Sequence, residues 1–105
     1  MDIKFKKSSG NVFADLEVEN AEELQTRALI GYQIVRLLKD KNMKQHELAE
    51  LLGVKQAEIS HLLNGHFSRF TTDKLLDFLK RMNQKVTIQI RPHKNGEPYQ
   101  DVFYG

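Results

Sequence analysis

Gln56, Ala57, Ser60 and His61 carry the most informative chemistry in this sequence. Placed about 100° apart on a helix, they gather on one side while Ile59, Leu62 and Leu63 gather on the other. The outward side is short and rich in hydrogen-bonding groups. An α-helix of this kind fits the major groove of duplex DNA. There Gln pairs bidentately with adenine, Ser serves donor or acceptor edges, and Ala touches a thymine methyl. Lys44, Lys55, Asn64, His66, Ser68 and Arg69 surround the same edge and are suited to hold phosphates without reading bases. A face of Gln, Ser, His and Asn is ordinarily no more than solvated helix surface, so the flanking elements must decide.

Other chemistries have weaker support. No two of His46, His61, His66 and His93 stand four residues apart, surface histidines are far commoner than ligands, and no metal is expected. The acids between Asp15 and Glu23 are what the macrodipole favours at the start of a helix, rather than a catalytic carboxylate pair. There is no Gly-rich phosphate loop, nucleophile elbow or Ser-His-Asp arrangement, so neither catalysis nor a cofactor is expected. With no Cys, disulfides, thiolate zinc sites and thiol nucleophiles are excluded.

The elements that must position the four residues follow from hydrophobic period and punctuation. Leu24, Ala28, Ile30, Ile34, Leu37 and Leu38 predict a long amphipathic helix from about Ala21 to Lys41, with Asn20 as its N-cap. Asn42 supplies the left-handed residue that ends it, and Met43 the apolar contact that closes the end. A second helix runs from about Lys44 to Leu52, Gly53 breaks it, and a third runs from about Lys55 to Leu63 before Asn64-Gly65. Thr71 caps a fourth helix through Leu75, Leu76, Phe78, Leu79 and Met82 to Asn83, with Phe70 packing against Leu75 as a staple. From Lys85 to Arg91 the period shortens to two, with Val86, Ile88 and Ile90 opposite Thr87, Gln89 and Arg91, which predicts a half-buried strand. Such a strand needs a partner, either Tyr99–Tyr104 folded back at Asn95-Gly96 or a second copy of the chain.

The 105 residues suffice for one domain, and a net charge of +2 says little about partners. The distribution says more. Residues 11–26 hold five acids (Asp15, Glu17, Glu19, Glu22, Glu23) and no base, so the remainder nets +7, concentrated in 27–47 and 71–91. No stretch is apolar for the roughly 20 residues of a membrane span, and MDIKFKKSSG lacks a secretory core, so a cytoplasmic location is expected. Residues 1–20 are expected to be an N-terminal extension, partly flexible. Residues 21–84 form the helical domain, and 85–105 a strand and tail able to make a dimer interface through Val86, Ile88 and Ile90.

The block Lys44 to Gly65, KQHELAELLGVKQAEISHLLNG, is restrictive in its spacing. Ala49 must be small where two helices cross, Gly53 makes the turn, and Leu48, Leu52, Val54, Ile59 and Leu62 fill the wedge. This block resembles the lambda-repressor-like, xenobiotic-response-element (XRE) family of helix-turn-helix domains over roughly residues 30–82. Ser8 to Leu16 and Val86 to Pro92 extend the likeness toward the small HigA-type antitoxin and XRE regulator group. Lys44 departs from the Thr or Ser that often caps the second helix, and Asn42 and Asn83 from the usual Gly.

The resemblance implies an all-α, lambda-repressor-like bundle of four to five helices with one C-terminal β-strand. It implies a DNA-binding transcriptional regulator, with Gln45 reaching a phosphate; a repressor acting as a homodimer on a palindromic operator is expected because the strand needs pairing and one recognition helix reads only about four base pairs. The alternative it implies is an antitoxin that neutralises a basic RelE-like ribonuclease toxin and represses its own operon. Double-stranded DNA and a second copy are the expected partners, with a toxin as the alternative and no membrane.

Overall fold

The computed structural model describes residues 11–104, with side chains from residue 21 onward. Residues 1–10, and with them the start of the Ser8-Ser9-Gly10 likeness, lie outside that range. The chain forms α1 (Asn11–Asp40), α2 (Gln45–Leu52), α3 (Gln56–Leu63), a 3-10 turn (Phe67–Arg69) and α4 (Thr72–Arg81).

The core is the set of apolar positions that helical spacing singles out. Ile30, Ile34 and Leu38 of α1 close over Leu48, Ala49 and Leu52 of α2, Ile59 and Leu62 of α3, and Leu75, Phe78, Leu79 and Met82 of α4. Leu24, the first of the predicted α1 stripe, stays exposed. Helix α1 packs on α4 and on the 3-10 turn, while α2 packs mainly on α3. Phe67 and Phe70 bracket that turn and are both buried. The ring that Phe70 meets is Phe78, edge-on at 5.7 Å between centroids.

Helix ends follow the capping residues closely. Asn42 and Asn83 hold φ of 57° and 64°, the left-handed conformation that Asn tolerates best after Gly. The Thr71 hydroxyl accepts from the Lys74 N–H at 3.1 Å, as its placement predicts. Lys44 has no acceptor to offer as an N-cap, and the compensation comes from the other direction: its own N–H donates to Glu47 Oε1 at 2.8 Å. The start of α1 is different. The helix begins at Asn11, ten residues before the predicted start, and Asn20 lies inside it rather than capping it. An interior Asn costs well under about 1 kcal/mol relative to Ala, too little to stop a helix continued on both sides.

The expected C-terminal strand is absent: among the described residues there is no β-structure, and every regular element is a helix. Val86, Ile88 and Ile90 are 42%, 72% and 92% exposed instead of half-buried. The reason lies in the arm that was to pair with them. A turn does form at Asn95-Gly96, but the returning residues go to α1. Glu22 Oε1 accepts the N–H groups of Tyr99 (2.6 Å) and Gln100 (3.2 Å). The Tyr104 hydroxyl donates to the Leu29 carbonyl at 2.6 Å, and Val102 packs against the core. Alternation alone cannot hold a strand once its ladder partner is engaged elsewhere.

The turn is closed by charge. Arg91 donates from both terminal nitrogens to Glu97, at 2.8 and 2.7 Å, and the Lys94 N–H donates to the same carboxylate at 2.7 Å. These hydrogen bonds, Arg91's first, hold the Glu97 carboxyl at about 2, below its ordinary 4.5. Because the carboxylate is favoured in the closed form, the closure is complete above pH 4.5 and is lost as pH falls toward 2. A carbon-detected NMR titration should place the Glu97 midpoint near 2, well below its ordinary 4.5. A Glu97 midpoint near 4.5 would contradict the Arg91 clasp.

Candidate nucleic-acid interface

Helices α2 and α3 are joined by three residues, Gly53 to Lys55. Gly53 sits at φ 70° with its N–H on the Glu50 carbonyl (3.3 Å), and the next N–H, of Val54, returns to Ala49 at 2.9 Å. That double closure reverses the chain within one residue. A Cβ at Gly53 would also come within 2.9 Å of Nη1 of Arg81, whose guanidinium covers the turn. Arg81 is itself held by Asp77 at 3.0 Å. With Ala49 buried at the crossing, α3 is fixed by its apolar side: Ile59 and Leu62 are fully buried.

What α3 turns outward is the predicted set. Gln56 and Ala57 are exposed, and Ser60 and His61 are half-exposed. Lys44, Gln45, Lys55, Asn64, His66, Ser68 and Arg69 are all exposed as well. The structure brings some of these together in ways that spacing did not suggest. The Asn64 amide Nδ2 donates to the Ser60 carbonyl at 2.9 Å and lies 3.4 Å from its hydroxyl oxygen. An amide N–H supplied to that oxygen leaves the hydroxyl hydrogen free for an outside acceptor. Nδ1 of His61 and Nδ1 of His66 approach to 3.3 Å. The Ser68 carbonyl accepts from Arg27 Nη1 at 3.2 Å.

Arg27 is a residue that sequence reasoning passed over. Its guanidinium bridges Glu23 of α1 (3.1 Å) and Ser68, tying the 3-10 turn to α1 and fixing where Ser68 and Arg69 stand beside α3. Its place four residues after Glu23 was visible, but the tie to Ser68 spans 41 residues. Val86, Ile88 and Ile90 lie after α4, outside the helices. Among the described residues, no helix is long and apolar enough to cross a membrane.

Two short helices crossed over a buried wedge, turned at one left-handed glycine, with the second presenting a polar face, define a helix-turn-helix protein. A family model described as a helix-turn-helix domain matches residues 12–91, and the chain belongs to that family. A solved structure described as an XRE family transcriptional regulator is similar at 28% identity and a TM-score of 0.68, covering 74% of this chain and 88% of that one. The chain is thus an XRE-like helix-turn-helix protein. No curated protein matches the sequence.

Proposed function

We propose that the chain is a sequence-specific DNA-binding transcriptional regulator, a repressor that binds a palindromic operator as a homodimer. The observation that carries this reading is the division of α3. Gln56, Ala57, Ser60 and His61 stand clear of the core on a helix whose Ile59 and Leu62 are completely buried. In a major groove Gln56 reads adenine, Ala57 a thymine methyl, and Ser60 and His61 the base edges beside them. Gln45 at the start of α2, with Lys44, Lys55, Asn64, His66, Ser68 and Arg69, holds the phosphates on either side.

One such helix covers about four base pairs, too few to select a site in a genome, and a second copy about one helical turn away supplies the rest. The exposed Val86, Ile88 and Ile90 support that second copy, since three large apolar side chains on one extended segment are costly to leave in water.

Selection from a library of random duplexes should return two inverted half-sites. Gln56→Ala should relax the preference at one base in each half-site, at about 1–3 kcal/mol. Lys55→Ala should weaken every sequence alike and lower the salt slope by about one counterion. An unchanged base preference in Gln56→Ala would remove the docking model.

A second reading, an antitoxin that neutralises a basic RelE-like ribonuclease toxin, is favoured by the C-terminal arm, where Tyr99 and Phe103 are 76% and 83% exposed. Aromatic side chains of that size are common anchors in protein interfaces. The acidic stretch gives it less than its charge suggests, because Glu22 is occupied by the C-terminal arm and Glu23 by Arg27. A small basic protein encoded next to this one, forming a stable complex on co-expression, would support it. A Tyr99→Ala/Phe103→Ala variant that bound as tightly would refute this surface.

A further inference from the structure

We propose that His66 is a positioning residue that sets which hydrogen-bonding edge His61 shows to DNA. In the resulting pair His61 accepts from a base amino group, adenine N6 or cytosine N4, and His66 donates to phosphate. The proposal rests on the docking of α3 described above.

The pair is produced by the way α3 ends. Gly65 adopts φ 80°, its N–H returns to Leu62 at 3.0 Å, and the N–H of His66 returns to His61 at 2.9 Å. This closure always brings the residue after the glycine against the one five positions earlier, and the contact made there is usually apolar. Here both residues are histidines. Their rings lie 5.5 Å apart at 44°, with the two Nδ1 atoms 3.3 Å from each other.

Two neutral imidazoles share such a contact only if one Nδ1 carries a hydrogen and the other is bare. A neutral ring with hydrogen on Nδ1 has a bare Nε2, and the reverse holds for its neighbour. The outer edges of the two rings therefore have opposite character. His66 is the more exposed ring, on the turn that also carries Ser68 and Arg69 toward the phosphates. An anionic phosphate there selects N–H at Nε2 of His66. Its Nδ1 is then bare, His61 donates to it, and Nε2 of His61 is left as an acceptor. In the major groove adenine N6 and cytosine N4 are the donors that match.

The tautomers can be read without DNA. In ¹⁵N-labelled protein at pH 8, one of the two rings should show hydrogen on Nδ1 and the other on Nε2. Finding both rings in the same tautomer overturns the pair.

The base preference is read by selection from random duplexes, followed by binding to single-base variants of the selected operator. Wild type should prefer A or C at one position of each half-site, by roughly 2- to 12-fold, the worth of one neutral hydrogen bond. His61→Ala should erase that preference. His66→Lys offers only donors to Nδ1 of His61, so the preference should move to G or T at the same position.

Uniform weakening by His66→Ala and His66→Lys, with the preference intact, would make His66 a phosphate contact only and overturn the proposal. If Gln56→Ala shifts a base preference while His61→Ala shifts none, α3 docks as described and the His61 assignment fails. If neither variant shifts one, the docking itself is wrong.

Discussion

Phe78→Ala is expected to lower the stability of the domain by about 3–5 kcal/mol, the range for removing a fully buried aromatic ring. Phe78 has no exposed surface and is among the largest of the completely buried side chains. Its ring takes the edge of Phe70 at 5.7 Å, and Lys74 Nζ lies 5.5 Å over its face. The loss is more than transfer energy. Phe70 immediately precedes the Thr71 cap of α4, so the cavity would also release the ring that fixes the entry to that helix. A domain of this size is stable by about 5–15 kcal/mol in all, so a loss of this order takes a third or more of the total in most of that range. Urea unfolding followed by circular dichroism should show a midpoint lower by about 2 M or more, with a slope near that of wild type. A loss below about 1 kcal/mol would mean that the α1–α4 packing can close over the missing ring.

Much of what carries the site was legible because it is local. The α2–turn–α3 unit depends on one small residue, Ala49, one left-handed glycine, Gly53, and apolar positions at fixed spacing. Each of these has its effect within a turn or two of where it stands. The same holds for the Asn42 and Asn83 helix ends and the Thr71 cap.

Features that depend on distant parts of the chain were not legible. The Lys85–Arg91 alternation is a true amphipathic pattern, yet whether it becomes a strand depends on where residues 97–104 go. Glu22 and Leu29, some 75 residues away, compete for them. The His61–His66 contact lies five residues apart, a spacing that shares no helical face. It exists only because Gly65 turns the chain back, so a search for converging histidines at helical spacing does not find it. Asn64 and His66 look like two more phosphate contacts in sequence, whereas in the structure each first touches a proposed base-reading residue.

Gly31 gives the sharpest divergence between the two levels. A glycine in the interior of a 30-residue helix should gain about 1 kcal/mol when replaced by Ala, through helix propensity and the entropy of the unfolded chain. The structure predicts the opposite sign. Gly31 is buried where the 3-10 turn crosses α1, and a Cβ built on it would overlap the ring of Phe67, with three ring carbons well inside contact distance. Phe67 is itself buried and held edge-on by Tyr32 at 5.4 Å. It cannot swing aside as a surface side chain would.

Overpacking of this kind costs about 1–3 kcal/mol. Gly31→Ala is therefore expected to lower the melting temperature by several degrees, at about 4–8 °C per kcal/mol for a small domain. The strain should be relieved locally: the loss in Gly31→Ala/Phe67→Leu should be smaller than the sum of the losses in the two single variants, because the smaller side chain leaves room for the methyl. The effect should also reach the DNA. The turn that Phe67 anchors carries Ser68 and Arg69, and displacing it would weaken the phosphate contacts proposed for them while leaving the base preference proposed for Gln56 unchanged. A Gly31→Ala protein more stable than wild type would show that the 3-10 turn does not press on α1 as closely as the structure places it.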